Sequence, residues 1–454
     1  MTIDDALSGE AGLVGVQWLL YGVPVQQALQ ETITTLLAPP FVVRAWRLLR
    51  AKAKPGRKLT AYYEVDLGGG AGESSQQRAM AVTWTMPQGT ASMPDEAPPI
   101  SAMEAEALAT GVATPFRRLL AVNDPWRMQI EVAPLDPHFP QLVRAMSPSY
   151  IGALLRTQGI PVDDCRMTTL RYRPRQRHVL RYAPLAAEGQ PLTPVFAKLS
   201  QGDEGKAITE MVQWAAAQLA RGNSGVDALC PDAWIAADRL LLYPFAAGAP
   251  LSQALCNNQP VLSSLHRAGA ALRSLHDAPV PSTLSLPRKT FAGEVKATLQ
   301  AGEHLTALAP VLHTALTDLL EEAAERYQQL PAVEPTFTHS DFKADHLLTD
   351  GNGLTLIDFD SAALTDPAAD LGKFLADLHW WQALGGRFDQ QRAQAAFLAG
   401  YGPPIDAQLY MRAQLYSTLI LAKNTVRRLN LFDEQWFAQS QALLNRATAL
   451  LHSS

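Results

Sequence analysis

The stretch THSDFKADHLLTDGNGLTLIDFD at 338–360 constrains the fold of this chain more than any other segment. Its runs HLLT and LTLI flank DGNG, whose residues tolerate the positive φ angles of tight turns. The stretch therefore predicts an antiparallel hairpin. The predicted register places His346 opposite Ile357 or Asp358, close to Asp341.

Acidic side chains converge at the open end of this hairpin. Asp358 and Asp360 are predicted on the same side of a strand that continues past LTLI. Carboxylates this close repel each other unless a cation neutralises them, so the pattern predicts a metal site. A plain surface hairpin with solvated acids is the alternative, but it does not explain why apolar strands end abruptly in acids.

The same hairpin supplies groups that phosphoryl transfer requires. A base must accept the proton of the attacking hydroxyl, and cations must offset the charge on the transferred group. Asp341 is the candidate base, and Lys343 lies two residues later, within reach of the transferred phosphoryl group.

Composition narrows the class of protein. The chain has 454 residues, 47% of them hydrophobic, which predicts two or three packed domains. The net charge of −5 argues against a nucleic-acid partner. Three scattered cysteines, an acidic N-terminus without an apolar signal core and no membrane-length apolar run favour a cytoplasmic protein.

Glycine and proline punctuate the chain before residue 150. They predict a hairpin loop at 67–77, a long loop leading into a short helix at 86–107, and an extended connector at 131–142. From about 165, three strands precede a helix, and after about 250 the periodicity is mostly helical. We therefore predict domains at 1–145, 146–248 and 249–454.

The stretch 336–376 resembles the aminoglycoside phosphotransferase and choline kinase family, relatives of the protein kinases, whose layout is His-x-Asp-x-x-x-x-Asn, a hairpin, then Ile-Asp. By this resemblance His339 orients the catalytic loop and Asp341 is the catalytic base. Asp358 is the implied metal ligand, with Asp360 as a second candidate.

The resemblance extends more weakly over roughly 165–430. DPAADLGKFLA at 366–376 is similar to the tail of the family motif, in which Asp370 would brace the catalytic loop by hydrogen bonds. His276, in LRSLHDAPV, is interpreted as structural. The implied fold is α+β and bilobal like a protein kinase, with a small β-rich lobe, a large helical lobe and an extra N-terminal α+β domain.

The family template also implies a nucleotide site for ATP or GTP. Lys198 in VFAKLS is placed like the lysine that holds the α- and β-phosphates. Its partner would be a glutamate on the next helix; Glu210 fits by chain distance and Glu204 by helical phase. In the absence of a glycine-rich loop, the basic turn RPRQRHV either guards the phosphates or is merely solvated. The remaining nucleotide-site candidates are Arg175 and Arg177 in that turn and Tyr243 in the lobe linker LLLYPFAAGAPL.

His346 stands where the family layout has asparagine. An imidazole nitrogen suits Mn²⁺ or Zn²⁺ better than Mg²⁺, so His346 is one candidate ligand for a Mg²⁺ or Mn²⁺ ion. In a second interpretation Asp345 or Asp360 takes over the second metal position and His346 lies behind it. In a third, the protein binds nucleotide without turnover.

The phosphoryl acceptor is expected to be a hydroxyl of a small molecule such as an aminoglycoside, a sugar or an amino alcohol. The alternative is a non-catalytic nucleotide-binding pseudokinase with a regulatory or scaffolding role. The sequence does not indicate the oligomeric state. Candidate acceptor-site residues in the helical half are Trp380, Trp381, Lys423, Arg427 and Arg428.

A weak internal repeat lies outside the resemblance. RAKAKPGRKLTAYYEV at 50–65 is similar to TLRYRPRQRHVLRYAP at 169–184, with Pro55 on Pro174 and Lys52 on Arg171. It predicts that residues 1–145 are a degenerate copy of the small lobe, with a sheet topology echoing 165–200. Two similar basic hairpins arising by chance are the alternative.

Overall fold

The computed structural model describes residues 1–69, 76–87, 100–351, 353–403 and 405–452. The central parts of the two predicted loops at 67–77 and 86–107 lie outside these residues, as does position 352 of the DGNG turn. A short helix does follow the second loop, as expected.

The N-terminal region combines helices with an antiparallel sheet of strand order β1-β2-β3-β5-β4. Its elements are α1 Ile3–Ser8, α2 Gly12–Tyr21, α3 Val23–Leu36, β1 Val42–Lys54, β2 Lys58–Gly68, β3 Gln76–Thr85, α4 Ile100–Ala109, β4 Leu120–Asn123, β5 Met128–Val132, α5 Leu142–Ala145 and α6 Pro148–Thr157.

Periodicity explains how this sheet packs. On α3, Val25, Leu29 and Ile33 recur every four residues and are fully buried, which forms one apolar stripe. On β2, alternate residues from Leu59 to Leu67 enter the same hydrophobic core as that stripe. The opposite face of β2 and β3 packs toward the second sheet.

The second sheet has strand order β10-β11-β8-β7-β6 and antiparallel neighbours throughout. Its region comprises β6 Asp164–Arg173, β7 Arg177–Leu185, β8 Val195–Leu199, α7 Gly205–Gly222, β9 Val226–Ala228, β10 Ala233–Ile235 and β11 Leu240–Pro244. Alternation along β8 buries Val195, Ala197 and Leu199 and leaves Lys198 on the opposite face, beside Val179 of β7.

The rest of the chain is mainly helical, with a small sheet of order β12-β14-β15-β9 and the strand pair β13-β16. Its elements are β12 Ala249–Pro250, α8 Leu251–Cys256, α9 Leu262–His276, α10 Phe291–Gly302, α11 Leu305–Leu308, α12 Pro310–Gln328, β13 Thr336–Thr338, β14 Leu347–Thr349, β15 Leu354–Leu356, β16 Ala363–Thr365, α13 Ala368–Ala383, α14 Gln390–Tyr401, α15 Ala407–Arg427 and α16 Trp436–His452.

Strands thus prevail from Asp164 to Pro244 and helices thereafter, which confirms the predicted α+β class with a β-rich small lobe and a helical large lobe. No helix in the described part of the chain has both the length and the apolar character needed to cross a membrane.

The segment 131–142 is not the extended connector that its prolines predict. After β5 it forms successive turns, and most of its residues are buried. Asp136 in this segment accepts hydrogen bonds from the backbone N of Arg175 at 2.7 Å and contacts His178 Nε2 at 2.7 Å. Because its polar groups bond to the second sheet, the segment packs between the two sheets instead of spanning them.

His379 on α13 predicts how the stability of the large lobe depends on pH. Its Nδ1 accepts a hydrogen bond from Arg446 Nε at 2.7 Å, and burial together with the Arg446 cation lowers the pKa of His379 to about 4. Between pH 6.5 and 4 the unfolded chain therefore binds more protons at this residue than the folded chain does. This histidine should cost stability as pH falls through that window, about 2–3 kcal/mol by pH 4.5.

Chemical denaturation of the wild type and of His379→Gln between pH 4.5 and 7.5 checks this expectation. Glutamine keeps an acceptor for Arg446 but cannot take up the proton, so the variant should lose less stability on acidification. An identical loss in both proteins would contradict the assignment.

Candidate active site

The loop after β13 is held by a buried carboxylate on α13. Asp370 accepts hydrogen bonds from the backbone N of His339 and of Ser340, both at 2.7 Å, and is fully buried. The His339 ring in turn contacts the carbonyl of Ile357 at 3.1 Å, and His276 lies 3.4 Å from Asp370. The loop and the hairpin are therefore fixed relative to each other, with His339 bracing the loop.

The side chain of Asp341 projects from this loop, and its carboxylate lies between two lysines. Its Oδ2 lies 2.8 Å from Lys343 Nζ and its Oδ1 lies 3.0 Å from Lys373 Nζ. Burial of Asp341 opposes its ionisation, but the Lys373 and Lys343 cations outweigh burial and hold the pKa of this carboxyl well below its usual range. Asp341 is consequently ionised at neutral pH.

Sequence reasoning missed Lys373. A signal was present, because Lys373 follows Asp370 by three residues on α13 and so shares its helix face. Close packing of α13 against α15 also brings Lys373 near Asp341, because a Cβ on the preceding Gly372 would lie only 2.4 Å from the Ala413 carbonyl of α15. The small residue lets α13 approach α15 and directs this face of the helix toward the loop.

Asp341, His346 and Asp358 form a cluster whose ligand atoms all lie within 4.8 Å of one another. The predicted hairpin register is confirmed, with Thr349 opposite Leu354 and the Ile357 N–H donating to the His346 carbonyl. The cluster thus combines one residue from the loop, one from the turn before β14 and one that lies two residues beyond β15.

The His346 ring bridges the two carboxylates. Nδ1 is 3.7 Å from Asp341 Oδ2, and Nε2 is 3.4 Å from Asp358 Oδ2. Burial, reinforced by the Lys343 cation, lowers the pKa of His346 to about 3, so the imidazole is neutral. Its Nδ1 is buried and lacks a hydrogen-bond partner. A neutral imidazole between two carboxylates fits a divalent cation.

The expected strand through Asp358 and Asp360 is wrong. β15 ends at Leu356, and Asp358 adopts a left-handed conformation with φ of 66°, which is strained for a residue with a side chain. A short 3₁₀ turn, Phe359–Ser361, follows. The turn nevertheless directs both carboxylates toward the same cations.

Those cations come from the second sheet. Lys198 Nζ lies 2.7 Å from Asp358 and 3.1 Å from Asp360, and Arg177 lies 2.9 Å and 2.6 Å from the same two carboxylates. Burial opposes the ionisation of Asp358, but Lys198 and Arg177 hold its pKa far below the ordinary range. The sheet and the hairpin therefore meet in one charge network.

Two other predicted nucleotide-site residues lie elsewhere. Glu210 is half exposed on α7 and lies 3.8 Å from Lys206, because its helical phase turns it toward solvent. It is not among the partners of Lys198. Arg175 Nη2 instead pairs with buried Glu131 at 2.9 Å, so its guanidinium faces the first sheet. Its left-handed backbone (φ 63°) closes the turn between β6 and β7.

Asp345 does not supply an alternative ligand. It accepts a hydrogen bond from Ser252 Oγ at 2.6 Å and pairs with Arg428 at 3.3 Å. Arg428 also lies over the Trp380 ring at 4.3 Å. The two predicted tryptophans, Trp380 and Trp381, pack behind Arg428 and do not line the pocket beside Asp341.

Two pockets flank the cluster. A mainly apolar cavity of about 320 Å³, here called the apolar pocket, lies on the small-lobe side with Asp358 at its wall. Tyr243 lines it, with Lys198 Nζ 5.4 Å from the ring centroid. The other wall residues include Val179, Phe196, Leu229, Leu348 and Ile357.

The second cavity, here called the loop pocket, measures about 410 Å³ and has Asp341 at its wall. It is strongly basic. Sequence analysis named Lys423, Arg427 and Arg428 here but missed Lys289, which donates to the Ser361 carbonyl at 2.7 Å. Lys289 and Lys423 are separated by 134 residues and meet only where α10 packs on α15.

Part of this chain is similar to a known protein family. Residues 196–406 match the model of a family described as the phosphotransferase enzyme family. None of the curated proteins compared with the chain matches it.

Solved structures of similar fold include a choline/ethanolamine kinase family protein from Mesorhizobium loti, with 17% identity over 63% of this chain and 88% of that chain and a TM-score of 0.43. Wild-type aminoglycoside 2'-phosphotransferase-IIIa in its GDP complex has 17% identity over 66% of this chain and 97% of that chain, with a TM-score of 0.45. Amicoumacin kinase hAmiN in complex with AMP-PNP, Ca²⁺ and Ami has 14% identity over 65% of this chain and 93% of that chain, also with a TM-score of 0.45.

The family match spans Lys198, Asp341 and Asp358, whereas Arg177 of the charge network lies before the matched residues. Residues 196–406, slightly less than half of the chain, are therefore similar to the phosphotransferase enzyme family.

Proposed function

We propose that the protein transfers the γ-phosphoryl group of ATP to a hydroxyl of a small molecule. One observation carries this proposal: Asp341 lines the loop pocket, Asp358 lines the apolar pocket, and His346 joins them with contacts of 3.7 and 3.4 Å. A hydroxyl in the first pocket and a nucleotide in the second would meet at this cluster.

Each residue then has a role. Asp341 accepts the proton of the attacking hydroxyl, the acceptor oxygen forms a bond to the γ-phosphorus, and the bond from that phosphorus to the β–γ bridging oxygen breaks. Because such transition states are loose, the proton moves late and a weakly basic, well-oriented carboxylate suffices. Lys343 and Lys373 keep Asp341 ionised and oriented toward the hydroxyl.

The cations of the small lobe serve the nucleotide. Lys198 and Arg177 now neutralise Asp358 and Asp360, and they can exchange these carboxylates for phosphate oxygens. Tyr243 and the apolar wall would hold the base. GTP fits the same interactions, so ATP and GTP are both to be tested.

Asp358 and His346 would hold a Mg²⁺ or Mn²⁺ ion, with Asp360 adjacent. When bound, such an ion would offset the charge of the nucleotide phosphates. The fit rests on the neutral imidazole, whose Nε2 lies 3.4 Å from Asp358 Oδ2.

His346→Asn provides a test of direct ligation. If the imidazole is a ligand, the wild type should favour Mn²⁺ over Mg²⁺, and the variant should shift toward Mg²⁺ by about tenfold or less while retaining turnover. The measurement is a titration of both metals with one accepted substrate, together with Mn²⁺ binding followed by electron paramagnetic resonance. The exposed His266→Asn serves as the matched control, and an unchanged Mg²⁺/Mn²⁺ ratio in His346→Asn would exclude direct ligation.

A nucleotide-binding pseudokinase is the second candidate, favoured by His346 at the position where the family layout has asparagine. ATP consumption with a panel of sugars, aminoglycosides and amino alcohols separates the two. Phosphorylated product with either metal supports the kinase, whereas nucleotide binding without product from any acceptor supports the pseudokinase.

The three cysteines are unpaired, which is consistent with our proposal of a cytoplasmic location.

The proposal extends to the domains, at 1–145, 146–248 and 249–454. We infer that the first is a degenerate copy of the small lobe. Read from its first strand, the N-terminal sheet has the order first-second-third-fifth-fourth, and the five strands of the small-lobe sheet follow the same order.

Local features support the duplication. In both sheets the fourth and fifth strands are joined by a 3₁₀ turn, Asp124–Trp126 and Ala236–Asp238. Each turn ends in a left-handed arginine, Arg127 or Arg239. A helix follows the third strand in both regions, α4 after β3 and α7 after β8. In the second region the next strand, β9, belongs to another sheet and is not counted among the five. The first copy has no equivalent of Lys198.

A further inference from the structure

The loop pocket is poorly suited to a cationic acceptor. Six cationic side chains line it against two acids, Glu294 and Asp341. Glu294 is already paired with Lys423 at 2.6 Å, and Asp341 lies between two lysines. A polyamine or aminoglycoside would therefore meet a surplus of like charge.

A larger cavity adjoins the loop pocket. This outer cleft, of about 820 Å³, lies between the β1-β2 hairpin, the end of β6, α10 and the end of α15. Arg427 lines both cavities, so they are contiguous along α15. The cationic residues of the outer cleft are Arg50, Lys52, Lys54, Arg57, Arg173 and Arg427.

Four of these residues, Arg50, Lys52, Arg173 and Arg427, form what we call the cation cluster. Among the residues that the structure describes, no carboxylate lies within the ion-pair distance of 4.0 Å of any of them. Arg50 donates to the Arg427 carbonyl, and Lys52 Nζ donates to Gln176 Oε1 at 2.8 Å. Glu303 lines the same cleft but pairs with none of them.

The members of the cluster repel one another. Burial, together with Arg50 and Arg173, lowers the pKa of Lys52 to about 8. Burial, with Arg50 and Arg171, lowers the pKa of Arg173 to about 10. Arg50, Lys52 and Arg173 are half-buried and Arg427 is exposed. Like charges that converge without a counterion are unfavourable unless a bound anion offsets them. The first sheet, the second sheet and α15 each contribute to this arrangement.

We propose that the cation cluster binds an anionic group of the phosphoryl acceptor, whose hydroxyl lies at Asp341 in the loop pocket. This inference rests on the proposed function and specifies its substrate class: a small molecule that already carries a phosphate or carboxylate. It also gives the N-terminal region a role, since β1 supplies Arg50 and Lys52 to the acceptor site.

Site-resolved labelling tests the cluster directly. Lysines of the full chain are reductively methylated with and without inorganic tripolyphosphate, and mass spectrometry follows the rate at Lys52. We expect at least about fivefold slower labelling of Lys52 with the anion, and loss of that protection in Arg173→Gln/Arg427→Gln. Lys206, exposed on α7, should be labelled at one rate throughout. An unprotected Lys52 in the wild type would overturn the proposal.

A single-stranded oligonucleotide of about ten nucleotides provides the competing arm. If it protects Lys52 at a tenfold lower concentration than tripolyphosphate, the cleft belongs to a nucleic acid and the assignment to a small molecule fails.

Phosphoryl transfer separates this proposal from the proposed function. Glucose, glucuronate and glucose 6-phosphate form a matched neutral, carboxylate and phosphate series. A preference for either anionic member, with KM raised about tenfold or more by Arg173→Gln/Arg427→Gln, supports the cluster and identifies the anion. Arg47→Gln, on β1 but paired with Glu64 outside the cleft, should match the wild type.

The two hypotheses can fail independently. Efficient transfer to neutral acceptors over their anionic counterparts would overturn the anionic substrate and leave the kinase standing. Protection of Lys52 by tripolyphosphate without transfer to any acceptor would support the cluster and count against the kinase.

Discussion

Replacing Asp341 with asparagine is expected to lower kcat by about 10²–10⁴-fold while nucleotide affinity stays near that of the wild type. Asparagine keeps the shape of the side chain but removes the base and the counterion of Lys343 and Lys373. Single-turnover measurement of product, together with calorimetric binding of a non-hydrolysable ATP analogue, separates chemistry from binding.

The same substitution at Asp318, exposed on α12, serves as the control and should leave both quantities unchanged. If Asp341→Asn turned over at the wild-type rate, Asp341 would have no place in the mechanism. If nucleotide binding were lost as well, the separation into acceptor and nucleotide sides would be wrong.

The second large effect is expected for Asp358→Asn. This carboxylate meets His346, Lys198 and Arg177 at once, so its loss removes a metal ligand and leaves Asp360 as the remaining acid partner of the two cations. We expect kcat/KM to fall by about 10²–10³-fold. We also expect Mn²⁺ to raise the melting temperature of the wild type but not that of the variant.

Asp360→Asn is the matched comparison. Asp360 contacts the same two cations but lies outside the three-residue metal cluster, so its loss should lower kcat/KM less and preserve stabilisation by Mn²⁺. A larger effect at Asp360 than at Asp358 would reverse the assignment of the principal metal ligand.

Short-range geometry made the hairpin predictable. A tight turn restricts strand register, so DGNG and the apolar runs beside it were sufficient to bring His346 next to Asp358. The chain direction beyond β15 was not predictable, because the left-handed backbone at Asp358 is maintained by the surrounding structure.

Side-chain direction places two of the predicted nucleotide-site residues away from the charge network. Glu210 and Arg175 lie at suitable distances along the chain, but helix phase turns one to solvent and the turn geometry leads the other to Glu131. Lys373 was missed for the converse reason, since its approach to Asp341 depends on how closely α13 packs against α15.

By itself, the sequence determined the hairpin, the acids at its end and the order of strands and helices in the kinase-like region. These depend on local periodicity and turn chemistry, which act over a few residues. Only the tertiary structure decided the charge of the cleft that we propose for the acceptor. Lys52, Arg173 and Arg427 are far apart along the chain and become one cluster because two sheets and a helix pack around the same cleft. Such long-range contacts depend on the packing of whole elements, which no local pattern specifies.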